Sequence, residues 1–398
     1  MEDTQIAPPD GAAGAAVRQS YLRFGRWSQP FWSWLTGKPL PGESPRLSVA
    51  PAYMALWTVA GIVLFSALHL ALLSAAAPLL VLLGYLLTPV FAIGLGGGWR
   101  LVQVVYAHHA IHGTLIGAQA PANIVAAKLL TVFALAQNQD EYEREHLDHH
   151  RRNIFTTLDD ADAALLYKFG IRPGIPLPRL RYRLFATLCS PRYHLWFLKA
   201  RLLSNLRRPL RWKCAALAWM ATVFVGLPLA FGLLPVLLAL WLPLVLVYQM
   251  SALLQFSTEH MWLLSARAPY GMQGYAQRCV GRFCGEMVPG RGGKPGGVAA
   301  WLGWSGRLLL LHLPTRLCVL VGDLPAHDWH HLCGQVRHSP EAWPSAIYER
   351  QRAIDSGLSA GMELRELWGL PQMIAHVLEA MARAPALELA APSWAREA

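Results

Sequence analysis

The chain has 398 residues, of which 54% are hydrophobic and only 15% are charged. Because a typical soluble domain has roughly 25% charged residues, this composition excludes a disordered chain and argues against an ordinary soluble enzyme. The formal net charge of +11 does not indicate a nucleic-acid partner, since the basic residues flank the apolar stretches, and we expect no nucleic acid among the partners.

The N-terminal residues 1–48 are predicted to form a soluble, partly disordered arm. Pro8, Pro9 and Gly11 interrupt it. Residues 1–41 also lack the basic start, apolar middle and small-residue cleavage site of a secretory signal. We therefore expect no secretory signal in this arm.

Two long uncharged stretches follow the arm. Residues 47–99 contain no Asp, Glu, Lys or Arg, and neither do residues 214–258. One helix over the first stretch would be about 80 Å long at roughly 1.5 Å per residue, whereas the apolar core of a bilayer is about 30 Å thick. Each stretch therefore predicts two membrane-spanning helices joined by a tight turn. The predicted spans are residues 51–75 and 78–98 in a hairpin over 49–99, and residues 214–232 and 235–258 in a hairpin over 214–258.

Basic residues beside both hairpins predict the topology. Arg46 precedes the first hairpin and Arg100 follows it, and a basic cluster over residues 207–213 precedes the second. Positive residues next to spans mark the cytoplasmic side. Both termini of this multi-pass protein are therefore expected in the cytoplasm, with the inner membrane as its location if the host is bacterial. The expected fold class is all-α, with four transmembrane helices and a cytosolic helical cap formed by the insert 100–213 and the C-terminal residues 259–398.

The polar regions contain further signals. The mostly apolar residues 116–136 are interrupted by Pro121, Asn123 and Lys128, which predicts a buried or interfacial helix and not a fifth span. The basic strip over residues 172–213 is expected to rest on anionic lipid headgroups, with docking of an acidic electron donor as the alternative. In the stretch 261–326 only a short apolar run, residues 308–313, stands out. The six scattered cysteines lack C-x-x-C spacing and are expected to be reduced thiols.

Ten of the fifteen histidines fall in four short sites, each just beyond a predicted span or in the neighbouring polar region, and nine of these ten are candidate ligands. In the first site, residues 108–112, the histidines four apart share one helix face, and His109 lies about 100° round the helix as the less favoured ligand. The sites at residues 146–150 and 327–331 share the spacing H-x-x-H-H. The fourth is His260, at the end of the last predicted span. The candidate metal ligands are His108, His112, His146, His149, His150, His260, His327, His330 and His331.

Imidazole is a ligand for iron, zinc, copper and nickel. Nine nitrogens are too many for one ion and suit two, and a two-ion cluster with an open position suits iron and dioxygen better than zinc. One H-x-x-x-H often occurs by chance, whereas its combination with two H-x-x-H-H copies leaves little room for coincidence. The histidines outside the four sites have no second histidine at the spacing of metal ligands, and we expect them to lie in the core or on the surface. They are His69, His194, His312, His376 and, as the nearest exception, His338.

These three motifs, at residues 108–112, 146–150 and 327–331, resemble the histidine boxes of the membrane-bound fatty acid desaturase and hydroxylase superfamily. The resemblance covers residues 51–352, and His260 in Ser257-Thr258-Glu259-His260 matches a further family histidine after the fourth span. It implies four spans with a cytosolic cap and a non-haem di-iron centre held by the nine histidines. It also implies dioxygen as co-substrate, a lipid or acyl-chain substrate, and a separate electron donor of the ferredoxin, flavodoxin or cytochrome b5 type.

Two departures from the family pattern bear on the substrate and the site. The first box has a three-residue spacer, whereas acyl-CoA desaturases commonly have four residues. Some members place an asparagine four residues before the extra histidine, where this chain has Phe256. Gln255 and Glu259 are the two candidates to act in place of that asparagine, by way of a bridging water molecule.

The main functional hypothesis is a lipid desaturase. Its alternative within the superfamily is a hydroxylase or ketolase that acts on a carotenoid, an alkane or another lipid. A histidine-rich metal transporter would need ligands inside the spans, where only His69 lies, and a zinc enzyme is the third alternative. Acidic residues near the boxes are expected to orient ligand imidazoles, and these are Glu141, Glu145, Asp148, Glu259 and Asp328. The run Asp159, Asp160 and Asp162 is interpreted as a solvated acidic loop, with a polar lip near the substrate as the alternative.

Overall fold

The computed structural model of the chain describes residues 11–46, 49–118, 120–151, 154–262, 277–291, 294–332, 345–357 and 364–386. The described chain is helical, with only short strands. The helices are α1 (Gly11–Ser20), α2 (Gln29–Thr36), α3 (Pro51–Leu73), α4 (Pro78–Ile111), α5 (Ala120–Phe133), α6 (Gln139–Arg151), α7 (Ala161–Lys168), α8 (Leu177–Leu188), α9 (Pro191–Leu206), α10 (Leu210–Phe231), α11 (Leu233–Glu259), α12 (Val298–Val319), α13 (Leu324–Leu332), α14 (Ala346–Asp355) and α15 (Leu370–Arg383).

The strands are β1 (Leu115–Ala118), β2 (Gly281–Phe283), β3 (Gly290–Arg291), β4 (Lys294–Pro295) and β5 (Glu366–Trp368). Strands β2 and β5 pair in parallel, with Arg282 opposite Leu367, and β3 and β4 form a short antiparallel pair. The parallel pair joins the C-terminal residues to the segment that follows the fourth span.

Four helices are long and apolar enough to cross a membrane, namely α3, α4, α10 and α11. They confirm the expected all-α fold with two helical hairpins. Proline at the first position of α3 and of α4 suits a helix start, because the N–H group that proline lacks would be unpaired there. Large apolar side chains such as Trp57, Leu86 and Leu229 are exposed on these helices, as expected of a surface that faces lipid.

Glycine permits close contact at the two hairpin turns. A Cβ atom on Gly84 of α4 would lie 3.2 Å from the backbone nitrogen of Leu73, at the end of α3. Gly232 connects α10 to α11 with a φ of +88°, which a residue with a side chain adopts only at a cost. The sequence therefore allows each pair of spans to pack without a long loop.

Helix α4 extends beyond the predicted second span, which ends at residue 98. It continues through a π-helical segment, Val102–Ala107, and reaches Ile111 beside the first histidine box. Val102, Val105 and Tyr106 are buried in this segment, so packing against the cap sustains the helix after the uncharged stretch ends. The first box is thereby fixed to the end of a membrane span.

Helices α12 and α13 form an apolar pair bent by 78°, which by length and composition is a broken span or a re-entrant segment. The prediction recognised only residues 308–313 of it, because Arg307 and Arg316 interrupt the apolar pattern. Arg316 is nevertheless buried, and its guanidinium donates hydrogen bonds to the carbonyl oxygens of Trp34 at 2.6 Å and Gly322 at 2.8 Å, and to that of Leu320. The hydrogen bonds from Arg316 to backbone carbonyl oxygens thus stabilise the bend.

A glycine in α4 brings α12 against the membrane hairpin. A Cβ atom on Gly97 would lie 2.0 Å from the carbonyl oxygen of Leu317, so no other residue fits at this position without displacement of the backbone. This contact places the start of α13, and with it the third histidine box, beside the end of α4.

The described residues 11–46 of the N-terminal arm fold against the rest of the molecule. Tyr21, Trp32 and Leu35 are buried, and Trp304 of α12 packs against them. Arg18 is also buried and donates hydrogen bonds to the Lys38 carbonyl oxygen at 2.7 Å and to other polar groups of the arm. The aromatic residues of this arm therefore form a small hydrophobic core, although the composition of the arm predicts little folded structure.

We expect α12 to be embedded in the bilayer, because it packs on span α4 and exposes Leu302, Leu309 and Leu310. With Cys189 and Cys214 replaced by serine, Leu310→Cys in lipid nanodiscs should react with a membrane-impermeant maleimide far more slowly than Ser356→Cys, which lies on the exposed end of the cap. Equal labelling rates for the two cysteines would show that α12 lies in water.

Candidate metal centre

The four histidine sites are carried by the ends of helices that converge on one side of the membrane hairpins. The first box ends α4, the second lies on α6 and the third lies on α13. His260 follows the last residue of α11, and its backbone pairs with that of Cys279 in a single antiparallel β-bridge. All nine candidate ligands lie in two groups of side chains that could each hold one metal ion.

The first group has five imidazoles, whose ligand nitrogens all lie within 4.8 Å of one another: His108, His112, His146, His150 and His330. The Nε2 atoms of His108 and His330 are 2.9 Å apart, as are those of His146 and His150. Nδ1 of His108 lies 3.1 Å from the carbonyl oxygen of Val104. Since a carbonyl only accepts, Nδ1 carries the proton and Nε2 presents its lone pair to the group.

The second group has four imidazoles, His149, His260, His327 and His331. The Nε2 atoms of His149 and His260 are 3.1 Å apart, and those of His327 and His331 are 2.9 Å apart. The two groups adjoin, because the ring centroids of His150 and His331 are only 4.3 Å apart. The adjacent histidines His149 and His150 on α6 thus belong to different groups.

These distances fit metal ligands. Two nitrogens bound at right angles to one ion, each at about 2.1 Å, are about 3.0 Å apart. Burial, followed by the neighbouring imidazoles, lowers the pKa of His150 to about 2, and burial also lowers the pKa of His112 to about 4. These two imidazoles are therefore neutral at physiological pH, and a nitrogen lone pair that faces another one needs a cation or a proton between them.

Two acidic residues contact histidines of the second group. Asp160 Oδ1 lies 3.2 Å from Nδ1 of His149, and Glu259 Oε1 lies 3.0 Å from Nε2 of His327. Burial alone would lower the pKa of His149, but the Asp160 carboxylate outweighs it and the net shift is upward. The interpretation of Asp160 as part of a solvated loop is wrong, since its side chain is 2% exposed.

The other acidic candidates have different partners. Asp328 accepts hydrogen bonds from Arg350, at 2.9 Å from Nε and 2.8 Å from Nη2, and so fixes α13 without contact to a ligand imidazole. Glu141 accepts from Ser204, and Glu145 accepts from Gln137 at 2.8 Å. These contacts anchor the helices that carry the boxes.

His109 lies outside both groups. Its Nε2 is 3.0 Å from Asp323 Oδ2, and its Nδ1 is 3.1 Å from the Thr114 hydroxyl. Asp323 lies at the bend between α12 and α13, and sequence reasoning missed it because no spacing relates it to a box. The pair joins the first box to the bend that positions the third.

The remaining described histidines have separate surroundings. His69 contacts the Gly84 carbonyl oxygen and the Thr88 hydroxyl, both at 3.2 Å, inside the first membrane hairpin. His194 contacts Gln249, and His312 accepts from the Gly285 amide. His376 lies on α15, and His338 lies outside the described residues.

Helical hairpins that carry a buried polyhistidine site at one end define a class of membrane metalloprotein. The family model for fatty acid desaturases matches residues 83–287, just over half of the chain, and the protein belongs to the fatty acid desaturase family. The match includes the first two boxes and His260, whereas the third box lies beyond it and is brought to the site by the bend after α12. No curated relative matches the chain.

Asp160→Asn is expected to weaken metal binding about 10- to 100-fold, the usual cost of removing a carboxylate that orients a ligand histidine. The matched control is Asp159→Asn, because Asp159 is exposed and has no contact to a ligand imidazole among the described atoms. Chelator competition on the purified proteins measures the effect. Equal loss of affinity in both variants would contradict the role assigned to Asp160.

Proposed function

We propose that the protein is a membrane-bound non-haem di-iron oxidoreductase that introduces a C=C bond into a fatty acyl chain. The observation that carries this proposal is the convergence of nine imidazoles in two adjoining groups of five and four. All nine are the proposed metal ligands. Family membership supports an oxidoreductase of the desaturase type.

Two bound iron ions would supply dioxygen activation and removal of hydrogen from an unactivated C–H bond. The overall reaction balances as R–CH2–CH2–R + O2 + 2 electrons + 2 H+ giving R–CH=CH–R + 2 H2O. The chain's own residues would hold the ions, and the second group is buried among the packed helix ends, whereas His112, His146 and His150 of the first group are partly exposed. Asp160 fixes the ring of His149 through Nδ1, and Val104 fixes that of His108.

The substrate and the electron donor follow from the surroundings of the site. A lipid can reach the centre from the bilayer, because the first box stands at the end of span α4. The two electrons would come from a separate donor of the ferredoxin, flavodoxin or cytochrome b5 type. We further propose that both termini and the cap are cytoplasmic, and that the chain divides at residues 48, 99, 213 and 258 into arm, first hairpin, insert, second hairpin and C-terminal cap.

Helices α8 and α9 support contact between the cap and the membrane surface. Tyr182, Phe185 and Leu195 are more than half exposed on them, beside basic residues such as Arg179 and Arg181. Exposed apolar side chains among basic ones suit the interface of a bilayer that contains anionic lipids. This contact would hold the centre near the headgroups, where an acyl chain enters.

A hydroxylase or ketolase of the same superfamily is the second candidate. The three-residue spacer in the first box departs from the four residues common in acyl-CoA desaturases, and this weakens the assignment of an acyl-CoA substrate. The same ions could return oxygen to the substrate carbon, in a carotenoid, an alkane or another lipid. The metal-transporter alternative has less support, because the histidine groups lie at helix ends and not along the interior of the spans.

Lipid profiling tests the reaction. Cells that express the intact chain should contain a lipid that has lost two hydrogens, and cells with His149→Ala should lack it, since that histidine belongs to the second group. His376→Ala is the control, because His376 lies outside both groups. A lipid that gains oxygen instead would replace the desaturase with the hydroxylase or ketolase, and no change in any lipid would contradict both.

Metal analysis tests the cofactor. The purified protein should contain about two iron atoms per chain, and removal of iron with a chelator should abolish activity that added Fe2+ restores. Two zinc atoms and no iron, with activity unaffected by dioxygen, would contradict the proposal.

A further inference from the structure

We infer that Glu259 is a direct carboxylate ligand of the second metal ion, beside His149, His260, His327 and His331. The inference rests on the proposed function, because it assumes that each histidine group holds one ion. It makes the two ions chemically different, the first bound by neutral ligands alone and the second by neutral ligands and one anion.

The first reason is the position of the carboxylate. Glu259 Oε1 lies 3.0 Å from Nε2 of His327, and the same nitrogen faces Nε2 of His331 at 2.9 Å. Because Nε2 is the atom that this group turns toward its ion, a carboxylate oxygen at the same distance from it lies on the ligand side. The spacing is again that of two ligands at right angles on one ion, about 3.0 Å.

Asp160 shows the contrasting arrangement in the same group. It contacts His149 through Nδ1, while Nε2 of that ring faces His260 at 3.1 Å. A carboxylate that only orients a ligand binds the ring nitrogen that the metal does not use. Asp160 fits this description and Glu259 does not.

The second reason is the set of hydrogen-bond donors around Glu259. Arg100 donates a hydrogen bond to Oε1 of Gln255, which fixes the amide so that its Nε2 donates to Glu259 Oε1 at 3.0 Å. Oε1 therefore accepts and presents lone pairs, as a metal ligand does. Nη2 of Arg282 lies 3.9 Å from the same oxygen, and both arginines are buried.

The third reason is an unsatisfied atom. The Glu259 side chain is almost fully buried, and Oε2 has no hydrogen-bond partner among the described residues. A buried carboxylate oxygen without a partner is costly, and a bound cation would satisfy it. The four-histidine group would thereby gain a fifth donor, equal in number to the five of the first group.

Iron content and Mössbauer spectroscopy of purified protein loaded with 57Fe test the inference. The intact chain should show two inequivalent ferrous sites of equal area. Glu259→Gln, which keeps the shape and removes the charge, should lose the second site first under chelator competition, so that iron falls from about two to about one per chain. Glu286→Gln is the matched control, because Glu286 pairs with Arg307 at the surface and contacts no ligand imidazole among the described residues, and it should keep both sites.

The inference is overturned if Glu259→Gln retains two ions with the affinity and spectrum of the intact chain. If that variant does not fold, Glu259→Asp and the spectrum of the intact chain decide the matter, and two identical sites in the latter would overturn the inference. An intact chain that holds two inequivalent ions and modifies no lipid would contradict the proposed function and leave the ligand assignment standing.

Discussion

The structure depends on nine imidazoles that meet at one end of the membrane hairpins. Facing Nε2 atoms lie about 3 Å apart, so each such pair needs a proton or a cation between its two nitrogens. The helix ends that carry the three boxes come from distant parts of the chain, so a bound ion would tie α4, α6, α11 and α13 together. Metal binding and the packing of the cap are then one equilibrium, in which loss of metal loosens the cap.

Buried contacts outside the imidazoles hold in place the helix ends that carry the histidine boxes. Buried pairs such as Asp328 with Arg350, and His109 with Asp323, hold α13 and the bend before it. Breaking a buried ion pair such as Asp328 with Arg350 by removal of one partner typically costs about 3–5 kcal/mol, because the other charge stays buried. The geometry of the boxes is thus set by contacts that lie one layer outside the imidazoles.

Much of this could be predicted from the sequence. Uncharged runs of residues predict the spans. Histidines spaced three or four residues apart predict which helix faces point toward a common centre. The division into five and four could not be predicted, since it depends on how α6 is rotated between its neighbours. Helix α12 was not predicted because Arg316 interrupts the apolar pattern of the sequence, whereas in the structure carbonyl oxygens satisfy its charge. The burial of Asp160 was not predicted because only tertiary packing distinguishes its carboxylate from that of its exposed neighbour Asp159.

The anchoring of the N-terminal arm has a consequence for biosynthesis. Lys38 pairs with Glu366, which also accepts from Arg350 at 3.0 Å, so the arm is joined to residues made more than three hundred positions later. During translation the ribosome releases the arm first and its partners last. The ion pair between the arm and the C-terminal strand can therefore form only after both hairpins and α12 have been made. Attachment of the arm to this strand is thus a later event than synthesis of the membrane hairpins.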